Sequence, residues 1–349
     1  MRIAINGFGR IGRTVLRAAH LRKATASSAN IDIVAINEPA DDATIAHLTR
    51  YDSTHGRFPG DVAVIDGQLV LSGKPIQLLH ITEIDALPWA PLEVDLVLEC
   101  TGTFSSRGMA EHHLHCGAQR VLFSQPADTE VDATVIWGVN NAVLNAEQQI
   151  ISAGSCTSNA LMPVLSVLHN QFGIRTGTMT TIHSAMNDQP VLDAYHNTDL
   201  RKTRAAFQSI IPVDTGLALG IARILPELAD RFTAHALRVP TLNVSAIDLA
   251  VYTETPCSAG AVNAALKRAA AEHFNGVLSV SEEPLASCDF VGESASAIID
   301  AHQTQVSSDH LVKVLIWFDN EWAYANRLLD IAEHLAGFCG PTGRSEDHV

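Results

Sequence analysis

Apolar and polar positions alternate with two periods along this chain, and the period changes near its middle. In the first third, short apolar runs are followed by helical patterns. Residues 2–5 predict a strand, and residues 11–22 a helix with Ile11, Val15, Leu16 and Ala19 on one face. Residues 31–36 and 94–100 are almost wholly apolar, as expected of strands covered on both faces. Residues 62–65 and 68–71 flank Asp66-Gly67, a hairpin signal. A helix is expected around residues 106–115, and strands at 120–123, 133–136 and 149–152. Such alternation predicts a largely parallel, doubly wound sheet.

Beyond about residue 156 the texture is different. Residues 177–183, 234–239, 245–253 and 311–318 read as strands, while 214–225 and 258–273 read as helices. Strands that come in runs, with helices set apart, predict a mixed α+β unit on a mainly antiparallel sheet. A last helix over 320–336 carries Trp322, Ala325, Leu328, Leu329 and Ala332 at helical spacing. The fold class expected is therefore α/β: a nucleotide-binding Rossmann domain over 1–155 and a mixed α+β domain over 156–319. The helix 320–336 is expected to return to the first domain, with a disordered tail over 337–349.

Composition narrows the partners. A formal net charge of −15 argues against nucleic acid or an anionic membrane as the main partner, although a local basic pocket for a small anion remains open. No stretch approaches a membrane span, and the N-terminus turns polar too early for a signal peptide. The six cysteines share no metal-ligand spacing and read as thiols of a reducing cytosol, so a cytoplasmic location is expected.

Gly7-Phe8-Gly9-Arg10-Ile11-Gly12 directly follows the first strand and opens the first helix. Its glycines permit a tight turn and let backbone N–H groups approach a pyrophosphate. The second strand ends at Asn37-Glu38, where a carboxylate would accept hydrogen bonds from ribose hydroxyls and repel a 2′-phosphate. NAD is thereby favoured over NADP; the alternative for Glu38 is a solvated loop carboxylate.

Cys156 lies in Gly154-Ser155-Cys156-Thr157-Ser158-Asn159, where a strand is expected to turn into a helix, and His183 lies downstream in Thr181-Ile182-His183-Ser184. A helix N-terminus and a nearby imidazole both favour thiolate, which makes the pair a candidate nucleophile and base. The alternatives are a buried structural cysteine and a satisfied core histidine. His112, His113 and His115 raise a metal site, but only His112 and His115 share a helix face, and a solvated helix is the better reading. No metal is expected.

Taken together, Ile5–Arg13, Glu99-Cys100-Thr101-Gly102, Ser155–Asn159, Ile210-Ile211-Pro212, Arg238-Val239-Pro240-Thr241 and Asp319-Asn320-Glu321-Trp322 resemble the glyceraldehyde-3-phosphate dehydrogenase family, in family order from residue 1 to about 336. The resemblance implies an NAD-dependent aldehyde dehydrogenase that forms a thiohemiacetal and then a thioester on Cys156, with His183 moving the proton. It further implies cofactor contacts from the Gly7–Gly12 loop, Thr101, Gly102, Ser124, Asn320 (for the nicotinamide carboxamide) and Tyr324 (beside the ring, or simply helix packing). It implies substrate-anion contacts from Ser155, Thr157, Lys202, Thr215, Gly216 and Arg238, the last alternatively a structural ion pair. By the same analogy, the substrate is a small phosphorylated aldehyde and the assembly a homotetramer.

Departures from the family pattern bear on the substrate. The glycolytic members usually read His-Ser-Tyr-Thr after the base; this chain reads His183-Ser184-Ala185-Met186, and methionine cannot donate to an oxyanion. Lys202 stands in Arg201-Lys202-Thr203-Arg204 where many relatives carry arginine, which keeps the charge but loses bidentate geometry. Phe123-Ser124-Gln125-Pro126 replaces a Ser-Ala-Pro run, and Ala160 replaces a second cysteine. With Asn187-Asp188-Gln189 and Thr304-Gln305-Val306-Ser307, these resemble the branch of the family that oxidises D-erythrose 4-phosphate to 4-phosphoerythronate, a step toward pyridoxal 5′-phosphate, with water rather than phosphate resolving the thioester. Thr215-Gly216 matches the glycolytic enzymes and keeps phosphorylating oxidation of glyceraldehyde 3-phosphate open. A non-catalytic NAD-binding protein on the same fold is the alternative of another class.

Overall fold

The computed structural model describes residues 1–24, 31–196 and 199–338. Two large sheets carry the architecture. The first has nine strands in the order Ala133–Thr134, Ile150–Ser152, Arg120–Phe123, Leu96–Glu99, Arg2–Asn6, Asp32–Asn37, Lys74–Leu79, Gln68–Leu71 and Val62–Ile65. The seven strands from Ala133–Thr134 to Lys74–Leu79 pair in parallel; the last two pairings are antiparallel. Ile3, Ile5, Leu96, Leu98 and Leu122 are fully buried because both faces of this sheet are covered. This is the doubly wound Rossmann arrangement expected.

The second sheet runs Ile211–Val213, Phe232–Arg238, Ile174–His183, Ser245–Thr253, Leu311–Phe318, Ala297–Asp300 and Leu278–Ser281, with Gln305–Ser307 paired beside Leu311–Phe318. Five of its seven pairings are antiparallel; Ile174–His183 with Phe232–Arg238, and Leu278–Ser281 with Ala297–Asp300, are parallel. The helix Cys156–Phe172 packs its apolar side on this sheet, so Leu161, Met162, Leu165 and Leu168 share a core with Ile247, Leu249 and Ile316.

The last helix, Trp322–Ala336, rejoins the first sheet. Tyr324, Leu328, Leu329, Ile331 and Leu335 lie in one core with Ile3, Ile5, Val15 and Leu16. It starts two residues later than its pattern predicts. Asp319 is the reason: its Oδ1 accepts from the N–H groups of Glu321 (2.9 Å) and Trp322 (2.8 Å) and terminates the incoming strand in a turn.

Other boundaries shift for similar side-chain reasons. The helix expected over 214–225 is Leu217–Ile224, because the Thr215 hydroxyl accepts from Leu217 N–H at 3.2 Å and Gly216 takes the cap position. The strand expected over 133–136 is cut to Ala133–Thr134, since the Asn140 amide binds Ile136 N–H (2.7 Å) and Thr134 C=O (2.9 Å) in place of a ladder. A helix at Asp42–Arg50, capped by Asp41, and the strand Lys74–Leu79 are additions. The expected loop over 25–30 and the tail from 339 onward lie outside the described residues. Gly337 and Phe338 are bonded to the helix end rather than part of a loose tail, through His334 C=O (3.1 Å) and Leu335 C=O (3.0 Å).

Candidate active site and cofactor cleft

The cleft at the carboxyl ends of the parallel strands is built by backbone. Gly7 has φ +89°, and a Cβ there would lie 2.5 Å from Thr101 N; two loops meet at that point with no room for a side chain. A Cβ on Gly12 would lie 2.3 Å from Gly7 C=O, so the first helix presses directly on the turn. Gly9 differs: a Cβ there meets nothing within 4 Å. Its backbone therefore faces open space, beside the first-turn N–H groups of Arg10–Ala24, which have no partner within the helix. That is the environment a pyrophosphate requires.

The neighbouring cavity, about 360 Å³, is lined by Asn6, Gly7, Gly9, Asn37, Glu38, Thr101 and Phe104 among others. One oxygen of Glu38 accepts from Phe8 N–H at 2.9 Å, which leaves the other for a ligand hydroxyl. Thr101 and Gly102 are exposed at the opposite lip. Ser124 sits behind Cys100 and is tied to the Glu99 carbonyl through its N–H at 3.0 Å.

Beneath this lip runs a buried polar chain that the sequence did not reveal. Glu99, fully buried, accepts from Asn6 Nδ2 (2.6 Å), from the Thr101 N–H (2.9 Å) and from the Thr101 hydroxyl. Asn6 Oδ1 in turn accepts from Asn37 Nδ2 at 2.8 Å. On the far side the Trp89 indole donates to His113 Nδ1 at 3.0 Å; an indole only donates, so His113 holds its proton on Nε2 and donates to Glu99 at 3.1 Å. His113 is thus a buried structural group. His112 faces Asp85 instead (2.5 Å), and the described residues contain no group of three or more His, Cys, Asp or Glu placed to hold a metal ion.

Arg10 takes a place its motif does not suggest. Its guanidinium binds Asp52 (2.5 and 3.1 Å) and Glu321 (2.5 and 2.8 Å), and His55 Nε2 also lies 2.9 Å from Glu321. Burial works against the Arg10 charge, but these bonds outweigh it and raise its pKa. Only the Arg10 backbone is left for a cofactor, while its side chain latches the Gly-rich loop to the segment carrying Asn320.

At the second centre, Gly154 (φ +64°) turns the chain into the helix Cys156–Phe172. Ser155 caps that helix, accepting from Ser158 N–H at 2.9 Å, and Asn159 Nδ2 holds the carbonyls of Ala153 (2.8 Å) and Ser155 (2.9 Å). Cys156 is therefore the first helical residue. Its Sγ lies 3.5 Å from His183 Nε2 and 4.0 Å from the Thr157 hydroxyl. His183 ends the strand Ile174–His183 with its ring edge on Phe318 and its Nδ1 at 2.9 Å from both the Ser184 carbonyl and Arg238 Nη1.

The protonation state differs from the sequence expectation of a ready thiolate. Burial pushes the Cys156 thiol up, and the Thr157 bond and the Arg238 charge only partly offset it. Burial and the Arg238 charge lower His183 to about 4. Both groups are thus neutral near pH 7: a thiol beside an uncharged imidazole.

Models of two domains match the chain: the glyceraldehyde 3-phosphate dehydrogenase NAD-binding domain over residues 1–107, and the glyceraldehyde 3-phosphate dehydrogenase C-terminal domain over residues 155–320. The chain belongs to the glyceraldehyde-3-phosphate dehydrogenase family. It is an NAD-dependent dehydrogenase, and residues 1–107, which carry the Gly7–Gly12 cleft, match its NAD-binding domain.

For a dehydrogenase of this family, the surroundings of Asn320 are informative. Its Oδ1 accepts from the hydroxyls of Ser184 (3.0 Å) and Ser245 (2.9 Å), which fixes the amide and identifies Nδ2 as its donor end. Neither serine has a local sequence signal, because both lie far from residue 320 in the chain. Tyr324 is buried, and its hydroxyl donates to the Gly154 carbonyl at 2.7 Å. Lys202 pairs with Asp188 at 2.9 Å; the bond, with the Arg238 charge, overcomes burial and keeps the Asp188 carboxyl low. Thr215 and Gly216 are exposed at the start of Leu217–Ile224. No helix among the described residues is long and apolar enough to cross a membrane.

Proposed function

We propose that this dehydrogenase oxidises D-erythrose 4-phosphate to 4-phosphoerythronate, on the route to pyridoxal 5′-phosphate, and releases the product by hydrolysis. The observation that carries this reading is Met186. Three residues beyond the base, where glycolytic relatives place a threonine hydroxyl, stands a half-exposed thioether that cannot donate to phosphate. Lys202, the nearby cation of the same region, is already engaged by Asp188. An anion site short of donors disfavours phosphate as acyl acceptor and leaves the thioester to water.

The chemistry follows from the pair. Sγ of Cys156 adds to the aldehyde carbon while its proton passes to His183 Nε2 and on to the carbonyl oxygen, giving a thiohemiacetal. The first-turn N–H groups of Cys156 and Thr157 have no partner within the helix and lie against Sγ, beside the carbon it attacks, where they can turn to that oxygen. Bound NAD supplies the hydride acceptor. Asn320 Nδ2 orients its carboxamide, and Glu38 with the Gly7–Gly12 loop anchors the other end. As the hydride leaves the thiohemiacetal carbon, His183 Nε2 takes the hydroxyl proton and releases it to solvent, leaving the thioester; His183 then takes a proton from the attacking water and returns it to the departing Sγ. Arg238, Ser155, Thr157, Thr215 and Gly216 form the candidate surface for the substrate phosphate. The enzyme is a cytoplasmic homotetramer in this reading; exposed Val191, Leu192, Tyr195 and Leu200 are suited to burial against another subunit.

Exposed Thr215-Gly216 favours a second reading, phosphorylating oxidation of glyceraldehyde 3-phosphate. NADH formation from each aldehyde, with and without inorganic phosphate, separates the two. Preference for the four-carbon aldehyde without need of phosphate is expected; strict phosphate dependence with the three-carbon aldehyde overturns the proposal.

A further inference from the structure

One short segment touches three parts of the molecule that bear on the reaction. Residues 124–128 follow the strand Arg120–Phe123 and run along the loop 101–105 that forms one lip of the cofactor cleft. Gln125 Nε2 donates to the Phe104 carbonyl at 2.5 Å, and the Asp128 N–H donates to the Ser105 carbonyl at 3.0 Å, so the segment binds the lip at two consecutive carbonyls. The Gln125 carbonyl accepts from the Ser152 hydroxyl (2.7 Å), whose oxygen accepts from the Gly154 N–H (3.1 Å) in the turn before Cys156. The third contact comes from the C-terminal domain. Arg223 Nη1 donates to the Ala127 carbonyl at 2.9 Å, and Nη2 donates to the Asp128 carbonyl at 3.0 Å. Arg223 lies in the last turn of Leu217–Ile224, the helix that begins beside Thr215 and Gly216.

We propose that Arg223, through the segment 124–128, couples the cofactor lip to the helix Leu217–Ile224, so that NAD on one side and the anionic end of the substrate on the other each favour the geometry that the other needs. The cofactor side rests on NAD binding in the Gly7–Gly12 cleft, and the anion side rests on the reading of the substrate as a phosphorylated aldehyde.

The geometry suits transmission at each joint. A planar guanidinium that meets two consecutive carbonyls with two separate N–H groups fixes a direction as well as a distance, which a lysine cannot do. Both acceptors are backbone oxygens, so a displacement of residues 127–128 is passed to the guanidinium. Ala127 and Phe104 pack against one apolar cluster with Ala110, Val121 and Phe123, so the segment and the lip share their support. The helix is held on another side as well. A Cβ on Gly220 would lie 3.7 Å from the Ser158 hydroxyl, which puts Leu217–Ile224 directly against the first turn of the nucleophile's helix. Leu217 and Ile221 are buried in the same core as Leu161 and Leu165. The helix is thus a short strut between the lip segment and the nucleophile's helix, and its free end presents Thr215 and Gly216. Gln125 is the joint that the family pattern lacks: the Ser-Ala-Pro run it replaces has alanine there, and alanine has no donor. Neither Gln125 nor Arg223 lines the cofactor cavity, so both are positioning residues. Coupling of this kind is reciprocal: what NAD does to the helix, an anion at the helix start does to the lip.

Amide hydrogen exchange of the full-length enzyme, resolved to peptides, reads the two ends separately. In wild type, NAD alone is expected to slow exchange in the lip and also in Leu217–Ile224, the latter by about fivefold or more. Arg223→Met keeps the apolar stem and removes the fork. In that variant NAD is expected to protect the lip as before, while its effect on the helix falls below about twofold. Arg223→Lys and Gln125→Ala, which each weaken one joint, are expected to lie between. Glycerol 3-phosphate carries the anion and no aldehyde; it is expected to slow exchange in the helix of both wild type and Arg223→Met, and in the lip of wild type alone. A purely structural arginine would alter the helix without ligand and leave the NAD effect intact, as would direct contact of NAD with the helix. Equal NAD-dependent protection of the helix in wild type and Arg223→Met therefore overturns the proposal, and so does a wild-type helix that NAD leaves unprotected. If glycerol 3-phosphate protects neither segment, the phosphorylated-substrate reading falls, and the NAD arm still decides the coupling. Should Arg223→Met fail to fold, Arg223→Lys and Gln125→Ala carry the decision, and full NAD-dependent protection of the helix in both overturns it.

Discussion

The hydroxyl of Tyr324 donates to the carbonyl of Gly154 at 2.7 Å, although 170 residues separate them. Gly154 stands two positions before the nucleophile, so the last helix of the chain pins the turn that delivers Cys156. The tyrosine is fully enclosed and burial raises its pKa well above the ordinary value, so it stays a donor at any working pH. Tyr324→Phe leaves a buried carbonyl without its partner. A loss of about 1–2 kcal/mol in stability is expected, together with a several-fold fall in kcat and little change in the KM for NAD. Chemical denaturation and steady-state NADH formation check both; an unchanged kcat would mean that the turn holds itself.

The neutral thiol and neutral imidazole make a specific pH prediction. His183, lowered to about 4, is uncharged through the whole range above pH 5, so no rise in kcat/KM is expected near the ordinary histidine value. The raised Cys156 thiol supplies the slope instead, and kcat/KM should climb past pH 9. A plateau reached below pH 8 would point to a preformed thiolate–imidazolium pair. The same shift acts on stability. Unfolded, His183 takes up a proton near its ordinary value of 6.5; folded, near 4. Its share of stability is therefore complete above pH 6.5 and is lost as pH falls toward 4, a loss of about 3 kcal/mol. His183→Asn should flatten that part of the pH–stability curve.

Two glycines of one motif should behave oppositely. Gly12→Ala places a methyl 2.3 Å from the Gly7 carbonyl, a backbone atom that cannot turn aside, so the first helix must shift from the first strand. A loss of about 2–3 kcal/mol is expected. Gly9→Ala meets no protein atom within 4 Å and should melt like wild type, yet in the proposed NAD site its methyl would occupy the pyrophosphate's space. Its Kd for NAD should rise about tenfold or more, corresponding to at least about 1.4 kcal/mol. Thermal unfolding with calorimetric titration of NAD separates the two, and a wild-type Kd for Gly9→Ala would move the pyrophosphate elsewhere.

Much of this arrangement was legible because it is local. The Gly7–Gly12 turn, the Asp66-Gly67 hairpin and the turn into a helix at Cys156 each write their geometry into adjacent residues. The hidden parts depend on distant partners. Arg10 reads as part of a phosphate loop, but what it binds is Asp52 and Glu321, brought to it by a short hairpin and the last helix. Asn320 reads as a carboxamide ligand only through resemblance; the two serines that aim it carry no signal of their own. The charge states misled for a physical reason: helix-dipole and imidazole arguments count what favours a thiolate, whereas sequence does not show how deeply Sγ is enclosed.

Glu38 provides the test of cofactor choice. One carboxylate oxygen is spent on Phe8 N–H at 2.9 Å, which ties the end of the second strand to the Gly-rich turn and aims the other oxygen at the cavity. Glu38→Gln keeps the size and one acceptor but removes the charge that would repel a 2′-phosphate. Glu38→Ala removes both roles. For Glu38→Gln, the KM for NAD is expected to rise only a few-fold while the preference over NADP narrows. For Glu38→Ala, a rise of about tenfold is expected, as for a lost charge-assisted pair of hydrogen bonds. Parallel kinetics with NAD and NADP decide the matter. If both variants keep the full preference for NAD, discrimination resides in the shape of the cavity rather than in this carboxylate.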